Sequence, residues 1–130
     1  MGCYCFNTYD TYLFYHLMKK INLAVTGCLG RMGSQIIKSA RADKRFKLVT
    51  ITENKKTDKK IFGLKISTNN SEIFKKTNLI IDFTIPKCTM EILKIAVKLK
   101  KRVVIGTTGF TKREENLIQK YSKKIPILKA

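Results

Sequence analysis

Short apolar runs alternate with amphipathic segments from residue 21 to the last residue of the chain. Runs rich in β-branched residues predict strands, whereas apolar residues recurring every three or four positions predict helices. The predicted strands are Ile21–Thr26, Phe46–Thr52, a short strand within Gly63–Ile66, Leu79–Phe83, Arg102–Ile105 and a last strand beginning at Pro126–Leu128. The predicted helices are Arg31–Ala42, a short one capped by Asn70 or Ser71, one from Pro86 to about Lys100, and one from the capping box Thr111–Glu114 to about Lys124.

This alternation predicts an α/β protein with a Rossmann-type parallel sheet, flanking helices and right-handed crossovers. In the first helix, the residues available for one apolar face are Met32, Ile36, Ile37 and Ala40. Residues 54–60 are polar and predict a loop. No apolar run is long enough to cross a bilayer, so no membrane partner is predicted.

A turn with three glycines, Gly27 to Gly33, joins the first strand to the first helix. A strand, a glycine turn and a helix in that order form the context in which such a motif predicts a phosphate site. Gly27 allows a sharp turn, Gly30 lets a pyrophosphate approach the backbone, and Gly33 lets the helix lie close to the strand. The N–H groups at the helix start would then face the phosphates. The spacing is G-x-x-G-x-x-G rather than the commoner G-x-G-x-x-G, and a tight turn without a ligand is the alternative interpretation.

Further candidate ligand contacts follow the ends of later strands. Glu53 lies twenty residues after the last glycine of that turn, where a carboxylate binds the hydroxyls of the adenine ribose. The stretch Gly-Thr-Thr-Gly at 106–109 offers free backbone at its glycines and hydroxyls at Thr107 and Thr108. Ligands of open α/β sheets bind at this carboxyl edge. The alternatives are that 106–109 is only a turn and that Phe83, which could lie against a nicotinamide ring, belongs to the core.

The chain is strongly basic, with 27 Lys and Arg against 9 Asp and Glu and a net charge of +18. Such a charge suits nucleic acid, an anionic membrane or a phosphorylated ligand. The basic residues are scattered, however, and no aromatics that would stack bases lie between them. Compositional bias is therefore the preferred interpretation, and no nucleic-acid partner is predicted.

The four cysteines, at positions 3, 5, 28 and 88, fit no zinc or dithiol spacing. Free thiols agree with a reducing cytosol, and no metal site is predicted. Residues 1–17 hold most of the tyrosines and the single histidine, His16, but no lysine. We expect them to be a poorly ordered extension or a misassigned start, with the domain proper at 18–130.

Four motifs together resemble the amino-terminal domain of the 4-hydroxy-tetrahydrodipicolinate reductase (dihydrodipicolinate reductase) family. They are the Gly-x-x-Gly-Arg-Met-Gly turn, the Glu after strand two, Ile-Asp-Phe-Thr at 81–84 and Ile-Gly-Thr-Thr-Gly-Phe at 105–110. The resemblance covers about Met18 to Ala130. It implies NADPH or NADH as cofactor, a cyclic dicarboxylate as substrate in lysine and diaminopimelate synthesis, a cytoplasmic location and a homotetramer.

The resemblance also implies roles for individual positions. The implied cofactor-binding residues are Gly27, Cys28, Leu29, Gly30, Arg31, Met32, Glu53, Gly106, Thr107, Thr108 and Ala130. Thr108 would also lie near the substrate. The family's substrate-binding histidine and lysine belong to a carboxyl-terminal domain that is absent here, so no catalytic residue is predicted and the chain is expected to be an inactive, truncated piece.

Three positions depart from the family pattern, and two other functions stay open. Cys28 replaces a small residue, Ile85 replaces a basic or polar one, and Asn54 stands where some members place an arginine for the 2′-phosphate. Lys55 or Lys56 could supply that charge, so the choice between NADH and NADPH is open. The other functions are a stand-alone nucleotide-binding or redox-sensing module and a basic nucleic-acid binder.

Overall fold

The structure, a computed structural model, describes residues 19–130. The expectation of a poorly ordered extension at 1–17 therefore lies outside the described residues. The strands are β1 (Ile21–Thr26), β2 (Phe46–Thr52), β3 (Lys60–Ile61), β4 (Leu64–Ser67), β5 (Leu79–Asp82), β6 (Arg102–Ile105) and β7 (Ile127–Lys129). The helices are α1 (Arg31–Ala42), α2 (Ser71–Phe74), α3 (Pro86–Leu99) and α4 (Lys112–Ser122).

The strands form one sheet in the order β3-β4-β2-β1-β5-β6-β7. Every pairing is parallel except that of β3 with β4. From β1 the chain moves outward through β2 to the edge hairpin of β3 and β4, then returns to β5 on the other side of β1. The order thus reverses between β1 and β5, and open α/β sheets bind ligands at the carboxyl side of such a switch point. The predicted Rossmann-type fold is confirmed.

Apolar side chains alternate between two cores on opposite faces of this sheet. In β1, Leu23 and Val25 join Ile37 of α1 in one core, and Ala24 joins Ile92 of α3 in the other. All five side chains are almost completely buried. Strands buried on both faces are expected where helices cover a parallel sheet from both sides.

The pairing of β1 with β2 contains a register shift of one residue. Leu23 is opposite Leu48, but the next residue, Ala24, is opposite Thr50. Val49 is therefore an extra residue in β2. Beyond the shift the strands stay in step, so that Thr26 and Thr52 end side by side.

The structure departs from the predicted elements in a few places. Residues 54–60 do not form a loop throughout, because Lys60 begins β3, which pairs with β4 across a two-residue turn. Both turn residues, Phe62 and Gly63, have positive φ angles, 49° and 78°, as a tight hairpin requires. The guanidinium of Arg41 lies 3.7 Å from the centroid of the Phe62 ring and holds this turn against α1.

Other differences concern element ends and one helix face. The fourth predicted strand ends one residue earlier, at Asp82, and the last helix ends at Ser122 rather than about Lys124. Asn70, not Ser71, caps the short helix, since its side chain accepts a hydrogen bond from the Ile73 N–H. Met32 does not join the buried face of α1, because it lies in the first turn beside the glycine turn and is half exposed.

Candidate functional site

The turn between β1 and α1 requires glycine at its first position. Gly27 has a φ of 72°, and a Cβ there would lie 2.2 Å from the carbonyl oxygen of Phe83. The N–H groups of Gly27 and Cys28 both donate to the Thr52 carbonyl, at 3.0 and 3.2 Å. The turn is thus fixed against both neighbouring strand ends.

The other two glycines of the turn face the Gly27 carbonyl at different distances. A Cβ at Gly33 would lie 2.0 Å from that oxygen, so α1 packs directly on the turn. A Cβ at Gly30 would lie 3.3 Å from it and would meet nothing else within 4 Å. Gly27 and Gly33 therefore shape the backbone, whereas Gly30 leaves open space in front of the turn.

The start of α1 is available to an anion. Gly30 is the N-cap residue and has no side chain to bond the first N–H groups, and the first turn contains no acidic residue. The first N–H groups of a helix have no intrahelical partner and lie at the positive end of its dipole. Arg31 and Met32, the first two helical residues, are both exposed there.

A cleft of about 240 Å³ opens in front of this helix start. It is lined by Gly27, Gly30, Glu53, Asn54, Phe83, Thr84, Ile85 and Cys88. The residues come from the ends of β1, β2 and β5 and from the start of α3, which is the carboxyl edge at the switch point. A larger groove of about 700 Å³ lies between α4 and β7, but none of the predicted site residues lines it.

The carboxylate of Glu53 is held beside the glycine turn. Its Oε1 accepts a hydrogen bond of 2.7 Å from the Leu29 N–H, and its own N–H donates to the Ser67 carbonyl of β4 at 2.9 Å. The backbone of Glu53 is thus fixed to one neighbouring strand and its side chain to the turn. The second carboxylate oxygen, Oε2, makes no hydrogen bond to the described residues, and Glu53 lines the cleft together with Asn54.

On the other side of β1, the loop after β6 packs against Phe83. A Cβ at Gly106 would lie 2.1 Å from the Phe83 ring, so this ring rests on the backbone of the loop. The Thr107 hydroxyl accepts a bond from the Thr84 N–H at 2.9 Å and donates to Asp82 at 3.1 Å. Thr107 is only 3% exposed, so its hydroxyl is used inside the protein. Of the two threonines, Thr108 has the exposed side chain.

Ala130 lies beside the same loop, because its N–H donates to the Ile105 carbonyl at 2.9 Å. The predicted site residues therefore all follow strand ends at one edge of the sheet. They do not meet in a single pocket, however: Glu53 and the glycine turn line the cleft, whereas residues 106–108 follow β6 and Ala130 follows β7, outside the cleft lining.

The thiol of Cys28, the second residue of the turn, is fully buried. Burial raises its pKa to about 11, and the nearby negative charge of Glu53 acts in the same direction. Burial also raises the pKa of the Cys88 thiol. Both thiols are therefore neutral at physiological pH, which makes them poor nucleophiles and poor metal ligands. Residues 19–130 contain no group of His, Cys, Asp and Glu that could hold a metal ion.

Sequence reasoning did not single out the residue that connects these loops, Asp82. Its buried carboxylate accepts hydrogen bonds from four threonine hydroxyls, those of Thr26, Thr84, Thr89 and Thr107. The sequence placed Asp82 in the Ile-Asp-Phe-Thr motif but assigned it no role.

Within the described part of the chain, no helix has the length and apolar character needed to span a bilayer.

Comparison with known proteins gives consistent matches. The family described as "Dihydrodipicolinate reductase, N-terminus" matches residues 21–130. The chain is 66% identical over 113 residues to the 4-hydroxy-tetrahydrodipicolinate reductase of Pelagibacter ubique. This match covers 87% of this chain and 44% of the relative. The chain therefore spans less than half the length of that relative.

Two solved structures illustrate the shared fold. Dipicolinate-bound dihydrodipicolinate reductase from Paenisporosarcina sp. TG-14 has a TM-score of 0.66 at 22% identity, covering 79% of this chain and 43% of its own. GenD2 from gentamicin A biosynthesis, in complex with NAD, has a TM-score of 0.71 at 15% identity, covering 88% and 35%. At these identities both support the fold.

Proposed function

Because the chain belongs to the dihydrodipicolinate reductase family, whose N-terminal part matches residues 21–130, we propose that it is the NADH- or NADPH-binding part of a 4-hydroxy-tetrahydrodipicolinate reductase. The family predicted from four motifs is confirmed. The prediction of NADPH or NADH as cofactor is confirmed at the level of the family. The reaction, substrate and assembly belong to a protein about twice as long and are part of the proposal.

The observation that supports the proposal best is the open helix start beside a fixed carboxylate. The uncapped start of α1 adjoins Gly30, where an added Cβ would meet only the Gly27 carbonyl oxygen, at 3.3 Å. In the proposed complex the N–H groups at this helix start bind the diphosphate. Glu53, held 2.7 Å from the Leu29 N–H, keeps its second oxygen for the hydroxyls of the adenine ribose.

The proposed reaction is hydride transfer from the nicotinamide to a cyclic dicarboxylate in lysine and diaminopimelate synthesis. Gly106, Thr107 and Thr108 position the nicotinamide end, the exposed Thr108 also contacts substrate, and the backbone at Ala130 completes this side. None of the described residues is proposed as proton donor, so the chain alone is expected to be inactive. The interpretation as a stand-alone nucleotide or redox module is not favoured, because the related proteins are reductases.

The proposed full-length enzyme is a cytoplasmic homotetramer, and residues 18–130 are its NAD(P)-binding domain. Cofactor preference depends on the residues after β2. Glu53 favours NADH, because a carboxylate repels a 2′-phosphate. Lys55 and Lys56 are exposed next to it and would attract that phosphate, so both cofactors are included in the proposal.

Calorimetric titration of the purified chain with NADH and with NADPH tests this proposal. Replacing Gly30 with Phe is expected to abolish binding of both nucleotides while leaving the far-ultraviolet circular dichroism spectrum unchanged, because the added ring enters the space in front of α1. The control is Asn116→Phe, which places the same ring in the larger groove between α4 and β7. If the Gly30 variant keeps its nucleotide affinity and the Asn116 variant loses it, the nucleotide site lies in that groove. This result would refute its assignment to the cleft in front of α1.

A further inference from the structure

Asp82, the last residue of β5, is completely buried and accepts four hydrogen bonds from hydroxyls. Oδ1 accepts from Thr26 at 2.6 Å and from Thr84 at 2.7 Å. Oδ2 accepts from Thr107 at 3.1 Å and also from Thr89. A carboxylate offers about four lone-pair sites, so this group is saturated by side chains of the protein.

The four threonines come from four different segments. Thr26 directly precedes Gly27 of the phosphate turn, and Thr107 directly follows Gly106 of the nicotinamide-side loop. Thr84 lies in the loop after β5 and Thr89 in the first turn of α3. One side chain therefore connects the two loops that the proposed function assigns to opposite ends of the dinucleotide.

The network acts just beyond the point where the sheet stops fixing the backbone. The parallel pairing between these three strands ends at Thr26, Asp82 and Ile105. Past that row the loop after β6 is held by the Gly106 N–H, which donates to the Asp82 carbonyl at 2.8 Å, and by Thr107. Beyond the ladder, the buried carboxylate and these backbone bonds position both loops together.

Stability alone does not explain such a group. Burying a carboxylate costs free energy, and a well-packed apolar side chain usually stabilises a core as much or more. A fully satisfied polar network does something that apolar packing does less well, since its directional bonds specify one arrangement of the segments it joins.

We propose that Asp82 is a positioning residue that fixes the phosphate turn relative to the nicotinamide-side loop, so that a single dinucleotide reaches both. This inference rests on the proposed function. It assigns Asp82 no contact with the cofactor and no part in the chemistry; it acts through Thr26 on one loop and through Thr107 on the other.

The test separates the two ends of the ligand. ADP-ribose contains the diphosphate and the adenosine but no nicotinamide, so it contacts the turn and Glu53 only. In Thr107→Val, the NADH affinity is expected to fall about tenfold, the usual effect of losing one hydrogen bond to a charged group, while the affinity for ADP-ribose stays unchanged. Thr107→Ser, which keeps the hydroxyl, is expected to restore the ratio of the two affinities.

Thr77→Val is the matched control. Thr77 is equally buried, but its hydroxyl donates to the Phe74 carbonyl at the end of α2, away from the cleft. A merely structural contribution would lower the melting temperature in both valine variants without changing the ratio of affinities. Asp82→Asn is the second variant, and it is expected to lower the ratio of NADH affinity to ADP-ribose affinity further. If the Asp82 variant does not fold, the Thr107 variants alone decide the test.

Each other outcome overturns the inference. Equal loss of both ligands in Thr107→Val, or no loss of either, would mean that the network does not position the nicotinamide end. Equal affinity of the unaltered protein for NADH and ADP-ribose would mean that residues 106–108 contribute no binding. If the unaltered protein binds neither ligand, the proposed function itself fails. If the unaltered protein binds NADH and Thr107→Val binds it equally well, only the inference about Asp82 fails.

Discussion

Replacing Gly33 with Ala should destabilise the fold much more than the same replacement at Gly30. Both methyl groups would face one atom, the carbonyl oxygen of Gly27, at 2.0 Å from position 33 and 3.3 Å from position 30. A carbon and a carbonyl oxygen in contact lie about 3.3 Å apart or more. In Gly33→Ala, the start of α1 and the Gly27 carbonyl must therefore move about 1.3 Å further apart. Gly30→Ala requires almost no movement.

The expected size of the effect follows from two opposing contributions. Forcing an extra methyl into a packed site costs about 1–3 kcal/mol, and the upper value applies here because backbone lies on both sides. Alanine in a helix recovers up to about 1 kcal/mol relative to glycine. The free energy of unfolding should fall by about 2 kcal/mol in Gly33→Ala. With an unfolding entropy of about 0.24 kcal/mol/K for residues 19–130, the melting temperature falls by about 8 °C.

Gly30→Ala is the matched control. Its φ of −71° suits any residue, and an N-cap alanine costs less than about 1 kcal/mol relative to glycine, so the melting temperature should fall by less than about 4 °C. Thermal melts followed by circular dichroism measure both variants at one protein concentration. Equal shifts in the two variants, or a larger shift at position 30, would refute the packing argument for the turn.

Two further predictions concern side chains of the site. Glu53→Gln keeps an acceptor for the Leu29 N–H but loses the charge, so the melting temperature should be nearly unchanged while calorimetry finds about tenfold weaker NADH binding; undiminished affinity would remove Glu53 from the site. The pKa of the Cys28 thiol is raised to about 11, so the unfolded chain loses this proton first and stability falls as pH rises from about 9 to about 11. Urea melts at pH 8 and pH 11 should differ less for Cys28→Ala than for the unaltered chain, and an equal difference would contradict the assigned pKa.

Much of the fold could be predicted because it depends on local pattern. The strands Ile21–Thr26, Phe46–Thr52 and Arg102–Ile105 have the predicted bounds, since buried parallel strands are continuous apolar runs between turn residues. The strand β3 was missed because it is two residues long and depends on a positive φ at Phe62, a residue that sequence reasoning does not place there.

The site was predictable only in part, because its contacts are between distant segments. Glycine spacing predicted the open position at Gly30, and the position of Glu53 after β2 placed it beside the turn. Nothing local indicated that the Thr107 hydroxyl would be used inside the protein while Thr108 stays exposed, since the two are adjacent and identical in type. The convergence on Asp82 likewise depends on pairing between β1, β5 and β6, which exists only in the folded chain.

The extra residue in β2, Val49, shifts the later residues of that strand, and Glu53 after them, by one position relative to β1. Successive side chains of a strand point to opposite faces, and a bulge inserts one step without lengthening the partner strand. Had Val49 instead paired with Ala24 in a regular ladder, Ile51 rather than Thr52 would lie opposite Thr26, and the side chain of Glu53 would point to the other face of the sheet. A single unpaired valine in the middle of a strand thus sets which face of the sheet receives the side chain of Glu53, four residues beyond it.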